Sequence, residues 1–479
     1  MHEECGVFGI WTQDRRKIAW KVYSGLYALQ HRGQESCGIA VSCDGVFRHQ
    51  KENGLVGEVF DSRRLEQLGE GNIAVGHVRY STTGGKSHSN IQPIVIRHMK
   101  GNLALCHNGN LVNAGALRMQ HELNGGIYHG TTDTETIIYT IVSERLRTAS
   151  TEEAVHRAMI KLQGAYSCVL MTATKLIAFR DPCGFRPLCW GQTPAGDCVV
   201  ASESCALDAV GAALIRDIEP GEILVIGEEG VISDRRLCGN APSLCVFEYI
   251  YFARPDSVIE GAPVHLTRLR AGRFLAGEDP VDADVVVGVP DSGIDAALGY
   301  AQESGIPYGI GFLKNKYIGR SFIAPSQELR ETAVRIKLNV IRDSVAGKRV
   351  VLIDDSIVRG TTSGRIVRLL REAGAKEVHM RISSPPFRHP CYFGTDVDSR
   401  ENLIACRLPS ADAIAEEIGA DSLAFLSVQA AHRLTGEACS FCDGCFSGRY
   451  PIPIPEDQGK SKFEQPLRTA YKKQHISCH

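Results

Sequence analysis

No hydrophobic run in the chain approaches the roughly 18 residues that a membrane-spanning helix needs. The first residues lack the basic segment and apolar stretch of a secretory signal. These absences exclude an integral helical membrane protein and lead us to expect a cytoplasmic one. There is no surplus of charge of either sign: 53 Lys and Arg against 55 Asp and Glu leave a formal net charge of -2. Without a basic footprint, nucleic acid and anionic membranes are not the expected partners, which leaves small molecules and proteins. The cysteine arithmetic of a disulfide framework is missing as well. Seventeen is an odd count spread over 479 residues, whereas such frameworks belong to small secreted domains. Cys43, Cys106, Cys168, Cys189 and Cys198 lie in apolar or alternating runs and are expected as small buried hydrophobes. Among the other thiols, catalytic or metal-binding roles are expected.

At 479 residues the chain exceeds one ordinary core, and two textures divide it. Up to about residue 235, "GNIAVGHVRYST", "GNLALCHNGNL", "AYSCVLMTATKLIAFRD" and "GEILVIGEEGVIS" read as strands of mostly antiparallel sheets. "TDTETIIYTIVSERL" and "STEEAVHRAMIKL" read as helices packed outside them, the second capped by Ser150 or Thr151 with acids in its first turn. From about residue 280 the pattern becomes strand, polar loop, helix, then strand again, as in "GKRVVLIDDSIVRGTTSGRIVRLLREAGAKEVHMRI". That is the texture of a parallel α/β domain, whose ligands bind at the carboxyl ends of the strands. Residues 451–479 are polar and without period, and are expected as a surface-hugging or disordered tail.

"VVLIDDSIVRGTTSG" carries the most chemistry. An apolar strand ends in Asp354 and Asp355, and the following turn offers hydroxyls and free N–H groups at a helix N-terminus, a cradle for phosphate. Two carboxylates beside phosphate suit sugar hydroxyls or a cation. Read by themselves, they would be a helix cap and a solvated charge. The stretch resembles the phosphoribosyl pyrophosphate (PRPP) signature of type I phosphoribosyltransferases. The resemblance implies that Asp354 and Asp355 face the ribose and that Val358, Arg359, Gly360, Thr361, Thr362 and Ser363 hold the 5-phosphate. The earlier "VPDSG" loop would approach pyrophosphate and one Mg²⁺ per subunit, with Ser292, Asp354 and Asp355 near the metal, which prefers substrate phosphates to an all-protein cage. The cation-rich segment "LKNKYIGRSFIAPSQELRETAVRIK" is the expected lid, closing Lys314, Lys316 and Arg320 over pyrophosphate.

The chain begins "MHEECGVFGI", with a cysteine just before an apolar run. "CGVFGI", "QHRGQESCGIA", "GHVRYSTTG", "HNGNL" and "TDTET" follow one another in the order of the class II glutamine amidotransferases, which are N-terminal nucleophile hydrolases. Cleaving an amide needs a nucleophile, a base and oxyanion donors. Removal of residues 1–4, the expected short propeptide, would give Cys5 both its thiol and an α-amine titrating near pH 8. The resemblance implies an oxyanion hole of Asn108 and Gly109, with Arg79 on the substrate carboxylate, Asp133 on its ammonium, and Arg32, Tyr80 and Thr82 around the pocket. Singly these residues have plainer readings: Asn108 with Gly109 as a hairpin turn, Asp133 as a helix cap, and Arg79 as a surface cation.

"CSFCDGCFSGRYP" sets Cys439, Cys442 and Cys445 at metal-ligand spacing. Zinc is the general reading, and an iron–sulfur cluster on four thiolates is the other. Taken together, residues 5–450 resemble the iron–sulfur branch of the amidophosphoribosyltransferase family. That resemblance implies one [4Fe–4S] cluster per subunit on Cys245, Cys391, Cys442 and Cys445, with Cys439 as a substitute ligand. It implies a four-layer αββα amidotransferase domain over residues 5–235 and a type I phosphoribosyltransferase parallel-sheet domain with the cysteine cluster over residues 236–450. It further implies a homotetramer, glutamine and PRPP as substrates, and feedback by purine nucleotides. A PRPP-binding regulatory protein and a different class II amidotransferase are the competing functions.

Overall fold

The computed structural model describes residues 5–80, 87–315, 338–395, 397, 399–436 and 440–454. Among them, no helix is long and apolar enough to cross a membrane. Residues 1–4, Thr82, Lys316, Arg320, Cys439 and residues 455–479 lie outside the described residues.

The strands of the first half are β1 (Gly6–Arg16), β2 (Ser36–Cys43), β3 (Val46–Asn53), β4 (Gly71–Arg79), β5 (Ile94–His98), β6 (Gly101–Leu111), β7 (Gly164–Met171), β8 (Leu176–Arg180), β9 (Cys189–Gln192), β10 (Cys198–Ala201), β11 (Ala213–Asp217), β12 (Ile223–Gly227) and β13 (Gly230–Asp234). They form a seven-stranded sheet, β11-β9-β10-β1-β4-β2-β3, and a six-stranded sheet, β13-β12-β8-β7-β6-β5. Side chains alternate across each strand, and the sequence exploits both faces. Val7 and Trp11 of β1, Ile73 and Val75 of β4, Ala104 and Cys106 of β6, and Val169 and Met171 of β7 fill the space between the sheets. Phe8, Ile10, Ala74 and Val78 point the other way, onto the helix Ala19–Ala28. Leu103, Leu105, Cys168 and Leu170 meet the helices Asp133–Arg145 and Thr151–Met159. Helix, sheet, sheet and helix are therefore stacked in four layers. The second of these helices starts as its sequence requires, with the Ser150 hydroxyl accepting the Glu153 N–H at 3.3 Å. Of the thiols expected as core filler, Cys106, Cys168, Cys189 and Cys198 are buried, while Cys43 is half-buried at a strand end.

The second half adds β14 (Leu244–Cys245), β15 (Val258–Ile259), β16 (Ala262–Pro263), β17 (Val285–Gly288), β18 (Phe312–Lys314), β19 (Leu338–Val340), β20 (Arg349–Asp354), β21 (Glu377–Ile382), β22 (Ser422–Phe425) and β23 (Phe441–Cys442). A parallel sheet in the order β17-β20-β21-β22 is its centre. Val285, Val287, Val350 and Leu352 face the helices Thr361–Glu372 and Ala411–Ile418. Val286, Val351 and Ile353 face the helices Val264–Glu278 and Ile294–Ser304. This last helix pair meets backbone to backbone. A Cβ on Gly272 would stand 1.8 Å from the Ala296 carbonyl oxygen, and one on Gly299 would stand 1.9 Å from that of Leu269. Only glycine permits the approach, which fixes the loop from which Ile294–Ser304 springs.

The halves share a core. Val112, Ala165 and Phe185 pack with Phe247, Tyr249 and Phe393 of the second half, and Ile452 and Ile454, at the start of the tail, lie against the same cluster.

Candidate active sites and a thiol cluster

Alternation assembles the first site. Cys5 immediately precedes β1 and by parity shares the inter-sheet face of Val7. Arg79 ends β4 on the face of Val75, and Asn108 lies in β6 on the face of Cys106. Since Gly6 pairs with Val78, Cys5 comes level with Arg79. The Cys5 thiol donates to the Tyr80 carbonyl at 3.6 Å. His77 spans the two sheets, with Nε2 3.0 Å from the His107 carbonyl. Burial pushes its pKa down to about 3, so the neutral ring donates that hydrogen.

Asn108 is only 1 % exposed. Its Nδ2 has no partner among the described residues. A buried amide donor left unpaired costs about 1–3 kcal/mol, which points to an acceptor on a bound molecule. The neighbouring Gly109 has φ +137°, and a Cβ there would lie 2.2 Å from the Ala165 carbonyl oxygen. The Asn and Gly therefore sit inside β6, and the hairpin-turn reading does not apply. Nor does Asp133 cap its helix: Thr132 does, and Asp133 is the first helical residue. Its carboxylate accepts the Leu111 N–H at 2.9 Å and the Thr132 hydroxyl at 3.3 Å, with His107 Nδ1 3.6 Å away. Burial opposes its ionisation, but His107 and these hydrogen bonds outweigh it and hold the pKa below the usual range.

Arg32 stands behind Cys5. It is buried, and its Nε donates to the Cys5 carbonyl at 3.0 Å. Nη1 donates to Glu203 at 2.7 Å and to Glu248 at 2.9 Å, and Nη2 donates to the other Glu248 oxygen at 2.8 Å. Burial disfavours the Glu203 carboxylate, yet His31 and Arg32 hold its pKa far below the usual range. Arg79 is 4 % exposed, so it is not a surface cation.

The second site forms where β17 and β20 end side by side. Asp354 and Asp355 are 6 % and 7 % exposed, and neither caps a helix. The Ser292 hydroxyl, from the loop after β17, donates to Asp355 at 2.5 Å, and the Ser356 hydroxyl donates to its other oxygen at 2.5 Å. Burial and then the charge of Asp355 push the Asp354 carboxyl well above its ordinary range. Lys314, at the end of β18, forms an ion pair with Asp291 of the same loop. The twelve-residue helix Thr361–Glu372 starts after Gly360 with no side-chain cap. Its first N–H groups form an anion cradle flanked by the exposed Thr361 and Thr362 and the buried Ser363. The Ile404 N–H braces the Val358 carbonyl at 2.8 Å, and Arg407 reaches the Arg359 carbonyl at 3.4 Å.

Cys245 of β14 and Cys442 of β23 stand opposite each other in a parallel pair. Cys391 and Cys445 join them. Burial pushes the Cys442 and Cys445 thiols up, and their neighbours add to it: Cys245 and Cys391 act on the first, and all three other thiols act on the second. Four thiols thus share one buried site. Among the described residues, no three His, Cys, Asp or Glu side chains close on a point that would hold a single ion.

Glu203, Glu248 and Arg186 belong to the first site and escaped the sequence reading. The available signal was a lone acid in an apolar context, as in "LCVFEYIYF", since an unpaired charge is almost never buried.

A glutamine amidotransferase domain model matches residues 77–209, and a phosphoribosyl transferase domain model matches residues 266–383. The amidophosphoribosyltransferase of Synechocystis sp. is 50% identical over 467 residues, 96% of this chain and 93% of the relative. That of Bacillus subtilis is 49% identical over 464 residues, 95% of this chain and 96% of the relative. The solved glutamine PRPP amidotransferase of B. subtilis, complexed with ADP and GMP, superposes with a TM-score of 0.87 at 48% identity, over 95% of this chain and 99% of that one. A structure described as the allosteric regulatory enzyme of purine biosynthesis superposes with a TM-score of 0.89 at 47% identity, over 97% and 100%. With both halves matched in one continuous alignment, the chain belongs to the amidophosphoribosyltransferase family.

Proposed function

We propose that the chain hydrolyses glutamine at Cys5 and delivers the ammonia to PRPP at its second site, giving 5-phosphoribosylamine, pyrophosphate and glutamate, the first committed step of purine synthesis. The observation that carries the reading is the buried, unpartnered Asn108 donor on the inter-sheet face shared with Cys5 and Arg79. Once the residues before Cys5 are removed, its α-amine takes the thiol proton and the sulfur attacks the glutamine amide. Asn108 Nδ2 and the Gly109 N–H stabilise the tetrahedral oxyanion. The amine returns the proton to the departing ammonia, and water hydrolyses the thioester. Arg79 holds the substrate carboxylate, Asp133 its ammonium, and Tyr80 lines the pocket.

In the second half, Asp354 and Asp355 take the ribose hydroxyls, residues 358–363 hold the 5-phosphate, and Lys314 stands at the pyrophosphate loop. The oxygen donors of Ser292, Asp354 and Asp355 fit one Mg²⁺, because a raised Asp354 carboxyl is relieved by a cation; the ion would neutralise pyrophosphate. The four thiols, three on buried residues and one on the half-buried Cys445, fit one [4Fe–4S] cluster, which would cross-link β14, β23 and the segment around Cys391. Purine nucleotides act as feedback inhibitors in this reading, in keeping with the ADP and GMP bound by the B. subtilis relative.

The test is the intact mass of anaerobically purified protein together with glutamine-dependent and ammonia-dependent synthesis. Protein beginning at Cys5 and active with both nitrogen sources is the expected result. Full glutaminase activity in protein that retains residues 1–4 overturns the role of the α-amine.

A further inference from the structure

Two grips from the second half of the chain converge on the amide-cleaving site. The first runs through Glu248, whose carboxylate is bound by two buried guanidiniums. Arg32 reaches it at 2.8 and 2.9 Å and holds the Cys5 carbonyl at 3.0 Å. Arg186 reaches it at 3.3 Å and donates to the Phe393 carbonyl at 2.9 Å and the Thr395 hydroxyl at 3.1 Å. The second grip is the segment to which Arg186 is tied. Its Tyr392 carbonyl accepts from the Asn110 side chain at 2.8 Å, and a Cβ on Gly394 would lie 3.3 Å from Gly109.

We propose that Glu248 is a positioning residue for glutamine hydrolysis, clamping the Cys5 backbone through Arg32 and the turn behind Gly109 through Arg186, so that one buried acid holds nucleophile and oxyanion donors in register. The inference rests on the assignment of Cys5 as nucleophile. Glu248, Arg32 and Arg186 have no side-chain exposure, so water cannot replace a lost partner. Glu203 already accepts from Arg32, His31 and Ser257, at 2.7, 2.8 and 2.7 Å. It has no spare oxygen with which to compensate.

The test is Glu248→Gln in the full-length, cluster-loaded protein. The variant keeps shape and loses the charge that holds both guanidiniums. A displacement of the nucleophile on the order of 1 Å costs about 100-fold, so we expect the glutaminase kcat to fall by that order. KM for glutamine and ammonia-dependent synthesis should stay near wild type, and Glu248→Asp should recover most of the loss. A parallel fall of glutaminase and ammonia-dependent activity would make Glu248 merely structural and overturn the proposal. So would unchanged glutaminase. If Glu248→Gln does not fold, Arg186→Lys carries the test: it keeps the charge but loses the forked hold on Phe393, and must lower glutaminase selectively. Cys5→Ala, run alongside, separates the two readings, because glutaminase surviving in that variant refutes the nucleophile itself rather than its clamp.

Discussion

Asn108→Ala removes the donor that the structure leaves waiting. The Nδ2 atom makes no hydrogen bond among the described residues, so truncation breaks no existing bond at that atom. The cost to folding is that of a small void between the sheets, about 1 kcal/mol, against a total stability of about 5–15 kcal/mol for a domain. The chemical cost is larger. A lost oxyanion-hole donor typically lowers kcat about 100- to 1,000-fold, about 2.7–4 kcal/mol of transition-state stabilisation. The amide oxygen gains charge only as the thiol adds, so the ground-state binding proposed for Arg79 and Asp133 is untouched and KM for glutamine should hold. The assay is glutamate release at saturating PRPP, with ammonia-dependent phosphoribosylamine synthesis measured on the same preparation. The latter should match wild type, since Asn108 lies in β6, a first-half strand of the αββα domain, while the proposed PRPP site lies where β17 and β20 end. A fall of less than about 10-fold in kcat would place Asn108 below the contribution expected of an oxyanion donor and refute the reasoning.

Three further outcomes follow from other parts of the molecule. Asp354→Asn should abolish synthesis with either nitrogen source. Because burial and Asp355 raise the native Asp354 pKa, ionisation penalises the fold as pH rises from the unfolded value near 4 through the raised native one. The thermal stability of the ligand-free variant should therefore exceed wild type by a margin that grows with pH, read by melting curves, and a constant margin would contradict the assignment. Cys245→Ser should lower bound iron and Tm together, measured by iron content and calorimetry. Gly299→Ala forces a methyl to within 1.9 Å of the Leu269 carbonyl oxygen. Parting the two helices should cost about 1–3 kcal/mol and raise KM for PRPP by moving the loop that carries Ser292, seen in melts and steady-state kinetics.

Much of the chemistry was legible because it is local in sequence. "LIDDSIVRGTTSG" states a strand end, an acid pair and a helix start in consecutive residues, and the structure keeps that order from β20 into Thr361–Glu372. "HNGNL" was legible as a site but ambiguous as structure, because an Asn followed by Gly favours a turn. What overrides the local preference is the pairing of β6 with β7, eight residue pairs long, which carries the chain straight through Gly109. Arg32 was expected around the pocket, whereas its guanidinium holds the Cys5 carbonyl and two buried acids, partners that the sequence did not disclose. Glu203 and Glu248 lie 171 and 216 residues away, and no periodicity relates positions so separated. Such pairs become visible only when the chain folds, the first within one half and the second between the two halves.

That folding bears on why charge is buried here at all. A buried ion pair of this kind is poor evidence for stability, since a well-packed apolar replacement is often as stable or more so. Around Cys5, however, an apolar substitute would leave the Cys5 carbonyl without the Arg32 N–H that it accepts at 3.0 Å. An arginine sent to that carbonyl brings a full charge into the core, and the charge then requires acids. Glu203 lies within the residues that match the glutamine amidotransferase domain, and Glu248 lies between those and the residues that match the phosphoribosyl transferase domain. The guanidinium that holds the Cys5 carbonyl therefore rests on two acids far apart in the chain. Glu248 opens the short helix Glu248–Phe252. Within it, burial and then the charges of Asp355 and Asp354 push the Tyr251 hydroxyl up. The five-residue segment thus carries the acid that holds Arg32 at one end and, near the other, a tyrosine within the electrostatic influence of Asp354 and Asp355.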